Sequence, residues 1–155
     1  MPAAIVPAVG AWGAASFEND AAAEWFYRVE EAPDPGAVIA SALDDALSDA
    51  DYLDLDASSE AIAAAELSAS CAGQLPARLP DHVRRWAETH RHRPHDAEIE
   101  HAVQAVRRVR SESALRERWD EAAQSPEDRE WLREIDDLIA RLERSGAGDP
   151  ATLSP

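Results

Sequence analysis

Two acidic residues near the start of the chain have a spacing that could support chemistry. Asp20 and Glu24 are four residues apart, which places both side chains on one face of a helix. Beside the rings of Trp12 and Trp25, such a pair could bind a cation or act as general acid and general base. A simpler explanation is that Asn19 caps the helix and that Asp20 complements the positive end of its dipole. Both interpretations stay open at this point.

The five histidines are concentrated within twenty positions, from His82 to His101. His92 and His95, together with Glu98 and His101, could supply metal ligands. Their spacing matches no zinc signature, and the flanking Arg, Pro and acidic residues favour a solvated, titrating loop. His92 and His95 are therefore weak metal candidates, and we expect no cofactor.

Nucleophilic catalysis has little support in the sequence. Cys71 lies in an Ala-rich run without a spaced histidine, and the chain has no Gly-x-Ser-x-Gly pattern or phosphate-binding loop. A single cysteine cannot form an intramolecular disulfide. A chain without disulfides is typical of a reducing cytoplasm. The opening segment lacks the basic start of a signal peptide, and no apolar run is long enough to cross a bilayer. The sequence thus predicts a cytoplasmic protein without a membrane partner.

Charge is distributed unevenly along the 155 residues. The chain has 31 acidic residues and 15 Arg, with no Lys, for a net charge of −16. Residues 1–75 contain 14 acidic residues and a single Arg, Arg28, whereas residues 76–155 contain 17 acidic residues and 14 Arg. Such a field repels nucleic-acid phosphates and favours a basic protein partner, although a solvated surface without a partner would look the same.

The residues that position these side chains are helix formers. The sequence contains 33 Ala against 6 Gly, 2 Phe and 2 Tyr, a composition that favours helix over sheet. We predict an all-α fold, a single compact bundle of about six or seven helices with an irregular aromatic N-terminal segment. The expected domain covers residues 9–145, and residues 146–155 are expected to form a disordered tail.

Caps and prolines predict where the helices begin and end. The first helix is predicted over 20–31, the second begins at Asp34-Pro35, and the third covers 57–72 with Asp56 or Ser58 as its cap and Gly73 after its end. In the second half, Pro80 opens a short fourth helix, residues 89–95 form a loop, and a fifth helix starts near Pro94. A break is expected near 111–113, and a capping box at 125–128 precedes a last helix that ends at Gly146.

Three sequence patterns resemble a known family. They are GAWG followed by FENDAAAEW, YLD at 52–54, and SAL at 113–115 continuing through WDE at 119–121. Together they resemble the small bacterial proteins of domain-of-unknown-function family 4259 over about residues 9–144. The resemblance implies a mostly helical cytoplasmic protein and brings no established activity. Since relatives usually begin at the residue matching Gly10, we expect Val9 to be the native start and residues 1–8 to be a non-native or disordered extension.

Two hypotheses about function follow. The first is a non-catalytic binding or regulatory protein, similar in kind to immunity or inhibitor proteins, that engages a basic protein partner. Its expected binding residues are Trp12, Phe17, Asn19, Asp20, Glu24 and Trp25. The second is an enzyme of unknown class with a pocket between the aromatic N-terminal segment and the bundle, where Asp20 and Glu24 act as acid and base. The oligomeric state is not indicated.

Overall fold

Helix-forming composition and capping side chains produce an all-α structure. The computed structural model describes residues 15–48, 53–89, 92–122 and 130–146. These residues form seven helices and no strand. The helices are α1 (Asp20–Glu31), α2 (Pro35–Ala46), α3 (Leu55–Cys71), α4 (Asp81–Thr89), α5 (Asp96–Ser111), α6 (Ala114–Ala122) and α7 (Glu130–Gly146). The predicted fold class is confirmed.

The first two helices begin as their caps predict. The side chain of Asn19 accepts a hydrogen bond of 2.8 Å from the backbone N–H of Ala22, which satisfies a free donor at the start of α1. Asp34 accepts from the N–H of Ala37 in the same way, and Pro35 occupies the first turn of α2. The predicted bounds of α1 and the predicted start of α2 are both confirmed.

The start of α3 corrects a prediction. Asp54, rather than Asp56 or Ser58, is the cap, and its carboxylate accepts a 2.8 Å hydrogen bond from the N–H of Ala57. Helix α3 therefore begins at Leu55, two residues earlier than expected. All three polar residues can cap a helix, and the earlier one is selected because Leu55 then packs against the core.

The predicted break between α5 and α6 is confirmed. Helix α5 ends at Ser111, and the hydroxyl of Ser113 accepts a 3.0 Å hydrogen bond from the N–H of Arg116 to begin α6. Leu53 forms an isolated parallel bridge with Ser113, and its carbonyl accepts from the N–H of Ala114 at 3.0 Å. The break is thereby attached to the connection between α2 and α3.

Glycine marks the ends of α3 and α7, as predicted. Gly73, two residues after the end of α3, has a φ of +92°, a conformation that favours glycine and ends a helix. Gly146 is the last residue of α7, as expected. The extension predicted at 1–8, the capping box at 125–128 and the tail beyond Gly146 lie outside the described residues.

Helix α3 is the centre of the bundle, because it packs against all six other helices. Side chains are buried on every side of this helix, and many of them are small, including Ala61, Ala64, Ala65 and Ala69. Such side chains let neighbouring helices approach closely. The outer helices each bury one apolar stripe. The buried residues of α2, α4 and α7 include Ile39, Leu43, Ala46, Val83, Trp86, Ala87, Trp131, Ile135, Leu138 and Leu142.

A buried ion pair joins α3 to α7. Glu66 and Arg141 are only 2% and 4% exposed, and the Arg141 Nη2 atom donates to Glu66 Oε1 at 2.9 Å. Arg141 also donates to the Gln74 carbonyl at 3.0 Å and to Asp137 at 2.7 Å, while the Ser16 hydroxyl donates to Glu66 at 3.0 Å. The two charges are thus well supplied with hydrogen bonds, as burial requires.

Candidate functional site

One side of α1 carries acidic and aromatic side chains that face solvent. The buried positions of α1 are Ala22, Trp25, Phe26 and Val29. Positions 20, 24, 27 and 31 recur at helical spacing on the opposite side, and all four are exposed. We call this surface the acidic face and define it as Asp20, Glu24, Tyr27 and Glu31.

Tyr27 is the most exposed large hydrophobic residue in the described part of the chain, with 64% of its surface accessible. Within the same described ranges, the flanking carboxylates of Asp20, Glu24 and Glu31 have no hydrogen bond or ion pair. Tyrosine is one of the residue types that contribute most energy to protein interfaces. The sequence analysis missed Tyr27, although its spacing from Asp20, Glu24 and Glu31 was visible in the sequence.

The other residues predicted to bind a partner have different positions. Phe17 and Trp25 are buried, and the Phe17 ring meets the edge of the Phe26 ring at a centroid distance of 5.9 Å. Asn19 is occupied as the cap of α1, and Trp12 lies outside the described residues. The structure therefore brings Asp20 and Glu24 onto one exposed surface and places Phe17 and Trp25 behind that surface.

A second acidic feature lies between α2 and α3. A cavity of about 160 Å³ is lined by Ala42, Asp45, Asp54, Asp56, Ala57 and Glu60, and we call it the acidic cleft. Arg28 of α1 forms an ion pair with Glu60. Arg28 is the only basic residue among residues 1–75, and through this bridge it offsets one carboxylate of the acidic cleft.

The acidic cleft has more negative charge than Arg28 offsets. Burial raises the pKa of Glu60, Arg28 lowers it, and the nearby carboxylates of Asp56 and Asp45 raise it further. The net effect is a raised pKa despite the ion pair. The carboxylates of Asp45 and Asp56, which make ionisation of Glu60 less favourable, also attract a second cation to the acidic cleft.

The predicted histidine metal site does not assemble among the described residues. His92 Nε2 lies 3.0 and 3.1 Å from the two carboxylate oxygens of Glu98. The fully buried hydroxyl of Ser68 donates to the same carboxylate at 2.7 Å. His95 is exposed, and in the described ranges no group of three or more His, Cys, Asp or Glu side chains could hold a metal ion. We therefore assign neither histidine as a metal ligand.

Cys71 is held in its protonated form. Burial raises the pKa of the Cys71 thiol to about 12, and the negative charge of Glu98 contributes to the increase. Because the thiolate is the reactive species, this cysteine is inert at neutral pH.

A larger cavity lies beside the N-terminal segment, between residues 15–18, the connection from α3 to α4, and α4 itself. Its volume is about 330 Å³, and its lining includes Phe17, Glu18, Arg78, Leu79, Pro80 and Arg84. We call it the N-terminal cavity. The lining does not include Asp20 or Glu24, so the pair proposed for acid and base catalysis is separate from this cavity.

Carboxylates surround Arg78 at the edge of the N-terminal cavity. The Arg78 Nη2 atom is 3.4 Å from Glu18, 3.2 Å from Glu130 and 3.1 Å from Glu134. Burial raises the pKa of Glu134 even though Arg78 lowers it. The exposed side chain of Arg84 has no hydrogen bond or ion pair in the described part of the chain, although its backbone N–H donates to the Pro80 carbonyl at 2.9 Å. Among the described residues that line the cavity, its charge is the one available to a ligand.

The described residues thus define an all-α helical bundle whose first three helices present unpaired acidic side chains. The family model for a domain of unknown function, DUF4259, matches residues 10–134. The chain belongs to this family, and the resemblance inferred from the sequence is confirmed. The matched range contains the acidic face, the acidic cleft and the lining of the N-terminal cavity. Searches of curated proteins and of solved structures find no significant match.

Within the described ranges, no helix has both the length and the apolar character needed to cross a bilayer.

Proposed function

We propose that this chain is a non-catalytic binding or regulatory protein of the immunity or inhibitor kind, acting in the cytoplasm, and that it engages a basic protein partner through the acidic face. The observation that carries the proposal is the position of Tyr27, an exposed aromatic side chain among three carboxylates that have no partner among the described residues. Phosphates would be repelled by the same carboxylates, so nucleic acid is not the proposed partner.

The acidic face has the size and chemistry to receive basic side chains. Asp20 and Glu31 are eleven residues apart, which corresponds to about 16 Å along α1. A partner's Arg or Lys could lie over the Tyr27 ring through a cation–π contact while neighbouring basic groups pair with Glu24 and Glu31. The acidic cleft extends this surface past Arg28, and its excess negative charge would assist the partner's approach.

The test is affinity purification from the native host, with the tag placed at the C-terminus. We expect Asp20→Lys/Glu24→Lys/Glu31→Lys to lose the partner, because three attractive contacts become repulsive. Tyr27→Ala should weaken binding about tenfold or more, the loss typical of an interface residue that contributes 1.4 kcal/mol or more. Binding of the purified partner should also weaken as salt is raised.

The matched control is Glu88→Lys/Glu100→Lys/Glu121→Lys, which makes the same change in charge on exposed acidic residues of α4, α5 and α6. This control should retain the partner at wild-type affinity. If the acidic-face variant binds as tightly as wild type, or if both triple variants lose the partner equally, the acidic face is not the binding surface.

The N-terminal cavity favours a second candidate function, an enzyme or ligand-binding protein with a pocket beside the aromatic segment. A volume of about 330 Å³ is within the range of small-molecule sites. Phe17, Leu79 and Pro80 would contact an apolar group, Arg84 would pair with an anionic group, and Glu18, the carboxylate of the lining, would transfer protons.

A thermal-shift screen of small carboxylates and phosphate esters tests this second candidate. A ligand of the N-terminal cavity should raise the melting temperature of the wild type, because it binds only the folded state. The increase should be lost in Arg84→Ala and kept in Arg85→Ala, which removes the same charge from the adjacent exposed position outside the lining. A shift that is equal in both variants, or no shift with any compound, would contradict a ligand site here.

A further inference from the structure

A small polar cluster of His92, Glu98 and Ser68 attaches residues 92–95, which lead into α5, to the bundle. We refer to these four residues as the α4–α5 connection. His92 belongs to the connection, Glu98 to the first turn of α5 and Ser68 to the centre of α3. The Glu98 carboxylate is shared, since it is 3.0 Å from His92 Nε2 and accepts from the Ser68 hydroxyl at 2.7 Å. Three separate segments thus meet at one carboxylate.

The opposite edge of the His92 ring lies against the start of α2. A Cβ atom added to Gly36 would be 3.2 Å from His92 Cε1 and 3.5 Å from Nδ1. Only a residue without a side chain lets the ring approach this closely without adjustment. The imidazole is therefore held between α2 on one edge and Glu98 on the other.

The charged and titratable groups around His92 come from every neighbouring element. Glu98 of α5 hydrogen-bonds the ring, and Asp34, the cap of α2, attracts it over a longer distance. On α3, the Cys71 thiol lies near Glu98 and stays protonated, and Arg93 of the connection acts on that thiol. The two groups that act on the His92 charge, Glu98 and Asp34, are both negative.

Those two carboxylates favour the imidazolium form. The hydrogen bond with Glu98 is the largest effect and raises the pKa of His92, partial burial opposes it, and the charges of Glu98 and Asp34 raise the pKa again. The shared Glu98 carboxylate then contacts the positive charge of the His92 imidazolium and accepts one hydrogen bond from the Ser68 hydroxyl.

We propose that His92, Glu98 and Ser68 form a pH-responsive latch, which holds the α4–α5 connection against α2 and α3 while His92 is protonated and loosens when His92 loses its proton. When His92 loses its proton, the neutral imidazole can still donate to the ionised Glu98 carboxylate, but the attraction between opposite charges is lost. The connection is then held less tightly and opens more often at higher pH.

The direction of the pH effect follows from linkage. His92 has a higher pKa in the folded chain than in the unfolded chain, where it is about 6.5. The latch therefore contributes its full stabilisation below about pH 6.5. That contribution is lost as the pH rises through the higher folded-state pKa of His92.

Hydrogen exchange of the full-length protein between pH 6 and pH 8 tests the latch. The readout is the protection factor of amides in the α4–α5 connection and in the first turns of α5. A protection factor already corrects for the intrinsic pH dependence of exchange. Wild-type protection should fall several-fold with rising pH, whereas His92→Gln should show low, constant protection. The control His95→Gln, an exposed histidine of the same connection, should behave as wild type. A pH-dependent fall that persists in His92→Gln would overturn the latch.

A second measurement does not depend on the stability of His92→Gln. In an NMR titration of the wild type, the pKa of His92 should lie above the ordinary histidine value of about 6.5. Asp34→Asn should lower the pKa of His92, because Asn removes the charge yet still caps α2. If His92 titrates at or below the ordinary histidine value, the latch is refuted.

Discussion

Replacing Arg141 by Ala is expected to lower the free energy of unfolding by about 3–5 kcal/mol, the typical cost of leaving a buried charge without its partner. Glu66 is 2% exposed and receives two hydrogen bonds from Arg141. After the substitution, only the Ser16 hydroxyl would remain as a donor to this carboxylate. Equilibrium denaturation with guanidinium measures the change.

Two further variants show whether burial causes this loss. Arg144→Ala removes an exposed neighbour on α7 and should change stability by less than about 1 kcal/mol. The double variant Glu66→Leu/Arg141→Met removes both charges and should recover most of the stability, because an apolar replacement leaves no unpaired group. A loss below about 1 kcal/mol for Arg141→Ala would contradict the role assigned to the pair.

Trp25→Ala is expected to cost about 3–5 kcal/mol as well, but through a cavity rather than a charge. Trp25 is only 1% exposed and belongs to the core contributed by α1. Tyr27→Ala, two residues away on the exposed side, should change stability by about 0.5 kcal/mol or less. Thermal or chemical denaturation of the two variants measures both effects.

The same two variants separate packing from binding. Trp25→Ala should reduce partner capture only in proportion to the protein it unfolds, whereas Tyr27→Ala should reduce capture while the protein stays folded. The opposite outcome, a folded Trp25→Ala protein without a partner, would return Trp25 to the binding surface proposed from the sequence.

Local features of this chain were predictable from sequence because they depend on neighbouring residues. Asn19 and Asp34 are short polar residues directly before Ala-rich or Pro-initiated segments, and both cap helices as predicted. Trp131, Ile135, Leu138 and Leu142 recur at helical spacing in the sequence, and the structure buries all four on one side of α7. The break before Ser113 was visible as a change in the phase of the apolar residues.

Features that depend on distant residues were not predictable. Glu66 and Arg141 are 75 residues apart, and no local pattern distinguishes them from exposed charges. His92 and Glu98 are close in sequence, yet their contact with Ser68 requires α3 to pass behind them. The acidic face lies between the local and the long-range features. The helical spacing of its four residues is visible in the sequence, but its proposed role as a binding surface depends on the exposure of Tyr27.

The central position of α3 has a consequence for synthesis on the ribosome. Helices α1 and α2 leave the exit tunnel first, and α3 follows with Glu66 already among apolar side chains. Arg141 is in the last helix, so the nascent chain holds this acidic group without its cation until α7 has been translated. Burial of Glu66 is unfavourable before that moment. We therefore expect the nascent bundle to stay loosely packed around α3 until Arg141 is available to pair with Glu66.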